Sequence, residues 1–435
     1  MSSLLVRDAV VVTMDDQRRI HERASILIED SVISAIVTGG EPPAADRVID
    51  ASGQIALPGF VNCHTHAAMT LLRGVADDMP LQTWLEERIW PTEARLEADD
   101  VYWGAMLAIA EMIRGGVTTF NDMYHFFEAT ARAVADSGIR ANLSGVLLGF
   151  LPDAEQRLET AIAFAREWKD ACDGRLVTML GPHAPYTCPN HLLERVMSGA
   201  VELGIGLHVH LSETADEVEE SRRRWGMSPV QLMDKLGLFD CRPVLAAHCV
   251  HLSDDDIALL RDREVGVSHN PGSNLKLAAG IARLPDLLSA GVVVGLGTDG
   301  AASNNNLDMI EEMRLAALIH KGTTGDPTVV SAGEALYLAT RGGAEALGIA
   351  DRVGIIEPGM HADVILVDSW RPHLWPPHNF VSHLVYAARA GDVRTVLVDG
   401  RPLLVDGDLQ TIDEERVMAE AQGRAERLLA GASGP

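Results

Sequence analysis

The chain has 435 residues, 47% of them hydrophobic, and a formal charge of −26 from 36 basic and 62 acidic residues. That charge repels nucleic-acid backbones and anionic membrane surfaces, so neither is expected as a partner. The mean hydropathy of +0.07 is that of an ordinary globular protein, and no apolar run reaches the ~18 residues that a membrane span needs.

The segment Met1–Asp8 carries an acid where an export signal would have its apolar core, and cytoplasm is the expected compartment. From Leu4 to about Ile55, short β-type runs (Ala9–Thr13, Ala24–Glu29, Val32–Val37, Arg47–Asp50) are broken by Asp, Gly and Pro and show no helical period. They read as a small β-domain.

After Pro58 the rhythm changes to apolar strand, polar turn and amphipathic helix, repeated. Eight strands are expected, at Phe60–Cys63, Val117–Asn121, Ala141–Leu147, Val177–Leu180, Gly206–His210, Val244–His248, Gly266–His269 and Val292–Gly297. Helices are expected between them, among them Asp100–Arg114, Phe126–Ser137, Glu155–Ala171, Leu192–Leu203 and Asp254–Arg261. Eight β-then-α units over ~300 residues is the count of a TIM-type barrel, whose chemistry gathers at the C-terminal ends of its strands.

Near Pro358-Gly359 the β-type pattern returns, at Ala362–Val367 and Val393–Val398, followed by a turn at Asp399–Pro402 and an amphipathic helix from about Ile412. The expected fold is therefore an α/β chain. Residues 58–358 form a (β/α)8 barrel, and residues 1–57 and 359–435 pair into one small discontinuous β-domain.

On this barrel, polar residues at the ends of strands become site candidates. His64 and His66 sit at i and i+2 after the apolar run Phe60–Cys63, a spacing that aims both imidazoles at one face of a strand. Alone, the pair reads equally as packed or solvated histidines. The fifth strand repeats the pattern with His208 and His210, and Glu213 lies just beyond; the sixth ends in His248 and the eighth delivers Asp299.

Three imidazoles and a carboxylate (His64, His66, His210, Asp299) suit a divalent metal that keeps one position open for water. Glu213 stands where it could exchange a proton, and His248 where it could hold the attacking water beside Asp299. Such equipment serves hydrolytic attack on a trigonal carbon.

Plainer readings stand beside these. Glu213 also reads as a helix cap after Ser212, and Asp299 as a turn residue before Gly300. His208, one layer below His210, reads as a hydrogen-bonded core residue, and His125, His251 and His269 as loop or strand-end residues. No His-Glu-x-x-His helix and no Pro-Cys-x-x-Cys element occurs. The stretch Arg175–His183 has no lysine of the kind that bridges two metals in binuclear barrel hydrolases, so one metal is expected. The five scattered cysteines (Cys63, Cys172, Cys188, Cys241, Cys249) contain no C-x-x-C pair and fit reduced thiols.

These segments resemble the amidohydrolase superfamily and, within it, the family of 5′-methylthioadenosine/S-adenosylhomocysteine deaminases. The carriers are Pro58–Gly74, Gly181–Tyr186, His208–Thr214, Ala247–His251, Ser268–Pro271 with Ser273–Lys276, and Gly297–Asn305. The resemblance implies that His64, His66, His210 and Asp299 bind one zinc per subunit, or another divalent transition ion. It implies that Glu213 protonates a purine ring nitrogen, and that His248 with Asp299 orients and deprotonates water.

It also assigns Glu93, within Trp90-Pro91-Thr92-Glu93, to the ribose hydroxyls and His183 to the purine side. From the residues alone Glu93 reads nearly as well as a helix N-terminal acid after Pro91. Relatives that take S-adenosylhomocysteine use two arginines at its amino-acid tail; Arg157 matches one, and Gly145 stands at the other position. The substrate expected is thus a purine nucleoside without that tail, 5′-methylthioadenosine or adenosine. Triazine hydrolases and guanine deaminases share several of these segments, so the same chemistry on another ring remains the alternative, with a non-catalytic scaffold more remote. The oligomeric state is left open, a homo-oligomer included.

Overall fold

β-Branched and aliphatic runs punctuated by Asp, Gly and Pro become strands at both ends of the chain in the computed structural model, which describes residues 3–430. The first five are β1 (Ser3–Val12), β2 (Ile20–Glu29), β3 (Val32–Val37), β4 (Arg47–Asp50) and β5 (Gln54–Pro58). The barrel follows: β6 (Phe60–Thr65), β7 (Val117–Tyr124), β8 (Arg140–Leu147), β9 (Leu176–Pro182), β10 (Gly206–Leu211), β11 (Val244–His248), β12 (Gly266–His269) and β13 (Val294–Leu296). The chain closes with β14 (Val364–Asp368), β15 (Val393–Val398), β16 (Arg401–Val405), β17 (Asp408–Leu409) and the helix Glu414–Ala430.

β6 to β13 pair in chain order, each parallel to the next. The eight strands form the nearly closed parallel barrel expected from the repeat. Its seam, between β6 and β13, is joined by other means than a ladder. Asn62 Nδ2 donates to Thr298 Oγ1 (2.8 Å), Asn62 Oδ1 accepts from Thr298 N (3.0 Å), and Asp299 N donates to the His64 carbonyl (2.9 Å). The seam therefore fixes Asp299 against His64 directly.

The terminal strands make a second, nine-stranded sheet in the order β17-β16-β15-β14-β5-β1-β2-β3, with β4 on β1. β5 pairs antiparallel with β14 along Gln54–Pro58, so the strand that leads into the barrel lies beside the strand that returns from it. Gly59 makes the step from β5 to β6, where a Cβ would lie 2.1 Å from the Thr118 side chain. Only glycine fits that approach.

A buried ion cluster ties the N-terminal end of β8 to this sheet. Arg140 donates from Nε to Asp363 Oδ2 (3.0 Å) and from Nη2 to Asp363 Oδ1 (3.0 Å) and Asp399 Oδ1 (2.5 Å). Asp399 also accepts from His361 Nδ1 (2.7 Å).

Some boundaries differ from the sequence expectation. β1 begins at Ser3 rather than Ala9, carrying a register irregularity where Asp8 takes φ of 64°. β5 (Gln54–Pro58) is not among the expected strands, and β16 and β17 follow the expected turn. The helix expected to end at Ala171 ends at Trp168, because Asp170, Cys172 and Asp173 all take positive φ before Gly174. Three short helical pieces, Leu81–Trp84, Leu85–Ile89 and Trp90–Glu93, had no periodic signal. Among the described residues, no helix is long and apolar enough to cross a membrane.

Candidate metal centre and catalytic cavity

Each strand end that delivers a candidate residue leaves the β region abruptly. Ser212, His248 and Asp299 have φ of 52°, 73° and 62°, left-handed conformations that non-glycine residues hold only when their surroundings impose them. These turns at the ends of β10, β11 and β13 swing Glu213, His248 and Asp299 over the barrel axis.

Three histidines meet there, two of them with their protons already assigned. His66 Nδ1 donates to the Met123 carbonyl (2.6 Å) and His210 Nδ1 to the His183 carbonyl (2.8 Å). A carbonyl can only accept, so Nε2 of each ring carries a lone pair. Yet these two Nε2 atoms face each other at 3.2 Å. His64 Nε2 lies 3.2 Å and His66 Nε2 3.3 Å from Asp299 Oδ1, and His64 Nε2 has no hydrogen-bond partner although it is fully buried.

Lone pairs and a carboxylate oxygen converging without a proton between them repel, unless a cation sits among them. Spacings of 3.2–3.3 Å match the edge of a tetrahedron with metal–nitrogen bonds of about 2.0–2.1 Å. The donor set thus fits a divalent ion. Burial pushes the His64 imidazole down to about 4, which keeps the ring neutral. Burial alone would raise the Asp299 carboxyl, but His64, His66 and His248 around it hold it well below the usual carboxylate range.

Two further groups stand over this cluster. His248 Nε2 is 3.8 Å from Glu213 Oε2 and 4.0 Å from Asp299 Oδ2. Burial would lower the His248 imidazole, and the two carboxylates overcome it, with a net shift upward. Burial raises the Glu213 carboxyl, which favours its protonated form.

The capping alternative for Glu213 is not what the fold uses. Thr214 caps the helix Ala215–Trp225 by accepting from Glu217 N (3.2 Å). Glu217 in turn holds the turn from below, accepting from Ser212 N (3.0 Å) and Glu213 N (2.8 Å). Burial pushes the Glu217 carboxyl up to about 7.

Sequence reasoning left out the supports on the segment after β12. Ser273 Oγ donates to Asp299 Oδ2 (2.6 Å), and Asn274 Oδ1 lies 2.9 Å from His248 Nδ1. Buried Glu312 anchors that segment, accepting from Gly272 N (2.9 Å) and Asn304 Nδ2 (2.8 Å). Ser273 and Asn274 fall inside a segment that carries the family resemblance, which was the available signal. Nothing in the local sequence marks Glu217 or Glu312 as buried.

His66, His183, His210, Glu213, His248 and Asp299 line one cavity of about 40 Å³, closed by Met69, Leu81, Trp84, Leu85, Tyr186 and Leu277. His64 lies beneath them. Glu93 is not among the lining residues; its Oε2 is 3.8 Å from His125 Nε2. Arg157 is not drawn in; its Nε pairs with Asp153 Oδ1 (3.0 Å) on a side chain 41% exposed. His251 donates to the Ala279 carbonyl (2.6 Å), and His269 packs on His320 (3.3 Å), both away from the cluster.

The chain was compared with known proteins on this basis. The sequence profile of the amidohydrolase family matches residues 55–403. A 5-methylthioadenosine/S-adenosylhomocysteine deaminase of Pelotomaculum thermopropionicum is 51% identical over 99% of both chains. One from Dictyoglomus thermophilum is 53% identical over 98% of this chain and 99% of its own. Among solved structures, an adenosine deaminase of Xanthomonas campestris with bound zinc superposes with a TM-score of 0.95 at 37% identity, covering 99% of each chain.

Proposed function

The chain belongs to the amidohydrolase family, and from that premise we propose that it is a metal-dependent aminohydrolase acting on an adenine nucleoside, preferentially 5′-methylthioadenosine, at C6. The observation that supports this reading is the convergence of the ring nitrogens of His64, His66 and His210 with the Asp299 carboxylate under two ionisable groups, Glu213 and His248. These four would hold one zinc ion per subunit. When bound, such an ion supplies the Lewis acidity that makes a water nucleophilic near neutral pH.

The side chains divide the remaining work. Water adds its oxygen to C6, His248 beside Asp299 takes a proton from it, and Glu213 gives a proton to the adjacent ring nitrogen. As the C6–amine bond breaks, the proton held by His248 leaves with the amine as ammonia, and the proton still on the added oxygen returns to Glu213, which leaves a 6-oxopurine. Nothing is oxidised or reduced. Ser273 and Asn274 hold Asp299 and His248 in place through the step. Glu93 is suited to accept from two vicinal ribose hydroxyls, and His183 to contact the purine.

Removal of metal with a chelator will abolish ammonia release from 5′-methylthioadenosine, and added zinc will restore it. Ammonia release that survives demetallation would remove the metal from the reaction.

The tail preference follows from Arg157 and Gly145. Arg157 is engaged by Asp153, and a Cβ at position 145 would lie 2.3 Å from Phe127 Cε1. Neither position offers a free guanidinium to clamp a carboxylate. kcat/KM is therefore expected to be higher for 5′-methylthioadenosine than for S-adenosylhomocysteine. The reverse order in a spectrophotometric assay would overturn the preference while leaving the deamination intact.

A further inference from the structure

Of the three histidines at the centre, His66 and His210 pass their Nδ1 protons to main-chain carbonyls, which nothing short of unfolding removes. His64 has no such acceptor. Its Nδ1 meets Nε2 of His208 at 2.8 Å, in the layer below. His208 is fully buried, and the deamination mechanism gives it no task.

With His64 as a ligand, one arrangement of protons is selected around His208. For His64 Nε2 to present a lone pair, His64 Nδ1 must donate and His208 Nε2 must accept. The proton of His208 then sits on Nδ1, where Ser144 Oγ lies at 3.1 Å. Ser144 can accept there, because its own hydroxyl proton goes to the Asp122 carbonyl (2.9 Å). Asn121 Nδ2 also approaches His208 Nδ1, at 3.1 Å, but it cannot take the proton. One of its two protons goes to the Cys63 carbonyl (2.8 Å), the nitrogen that carries the other is also 3.4 Å from His208 Nε2, and turning the amide over would set oxygen against oxygen.

A proton on His208 Nε2 would face the one on His64 Nδ1 and drive His64 into the tautomer that cannot bind a cation.

We propose that His208 is a positioning residue for the metal centre: with Ser144 it forms a one-way hydrogen-bond relay that fixes the His64 tautomer and so sets the affinity of the site for its divalent ion. The proposal rests on the reading of His64 as a ligand. Partners that hold the second ring nitrogen of a ligating histidine typically change metal affinity by about 10- to 100-fold when removed. A neutral histidine in this place supplies both an acceptor and a donor at fixed separation, and glutamine is the side chain that comes nearest to doing the same.

The test is zinc release from the metal-loaded protein to a chromogenic chelator, with wild type, His208→Phe, His208→Gln and Ser144→Ala side by side. His208→Phe should hold zinc about 10- to 100-fold more weakly, His208→Gln should recover most of that loss, and Ser144→Ala should fall between. Zinc held by His208→Phe as tightly as by wild type overturns the relay, and so does a loss in His208→Gln equal to that in His208→Phe. If His208→Phe does not fold, Ser144→Ala decides, since unchanged affinity there refutes the proton assignment. A wild-type protein that takes up no zinc would instead refute the metal reading.

Discussion

Glu213→Gln is expected to fold, to carry its full complement of metal, and to lose about 10²–10⁴-fold in kcat, the range of a positioned acid or base. The amide has the shape of the carboxyl it replaces. The turn that carries it is held through its main chain, by Glu217 accepting from Ser212 N and Glu213 N, so its place is kept. What is lost is a group that can give up a proton, one whose protonated form burial favours. Metal content and kcat measured on one preparation separate the cases. Wild-type turnover would take Glu213 out of the proton transfer, and loss of metal would show that the residue supports the ion rather than the chemistry.

The second large effect is on stability. Arg140→Met removes the guanidinium between Asp363 and Asp399, all three of them buried. Deleting one partner of such a cluster leaves uncompensated carboxylates in the interior and costs about 3–5 kcal/mol. Urea unfolding should show this as a lowered midpoint, and the triple variant Arg140→Met, Asp363→Asn, Asp399→Asn should regain most of it. An unchanged midpoint for the single variant would mean that the barrel and the terminal sheet do not depend on this cluster.

Acid should act on the same place. Burial would raise the Asp399 carboxyl, but His361 and Arg140 hold it below its ordinary value. A folded-state pKa below the unfolded value of about 3.9 gives stability that is whole at neutral pH and drains away as the pH falls through that range. Arg140→Met should therefore lose less to acid than wild type does.

The barrel was legible because its signals are local. Apolar runs with period two, amphipathic stretches between them and eight repeats leave few alternatives, and the histidines and Asp299 stood at strand ends that the repeat itself marked. β5 escaped notice because its five residues, Gln54–Pro58, run without a turn signal into Gly59 and β6. The pieces from Leu81 to Glu93 lack periodicity, and they hold their form by packing over the cavity through Trp84 and Leu85.

The supporting side chains were hidden for another reason. Nothing about Glu312 in the helix Met309–Thr324 says that it points inward at Gly272 rather than out to water. Nor does the pattern around His208 reveal that its ring nitrogen meets His64 instead of a core carbonyl. Such contacts join residues far apart in sequence, and only closure of the barrel decides them.

The pairing of β5 with β14 has a consequence for how the molecule comes into being. A polypeptide made from its N-terminus finishes β5 early, and the strand destined to lie beside it emerges some three hundred residues later, after every stave of the cylinder (residues 54–58 against 364–368). Through that interval one side of the growing sheet is an open row of unpaired amides and carbonyls, and Asp363, the clasp for Arg140, has not yet been translated. Completion at the ribosome thus waits on residues 363–368, and a chain cut short before them would carry an intact set of chemical groups on a body with a raw, adhesive border.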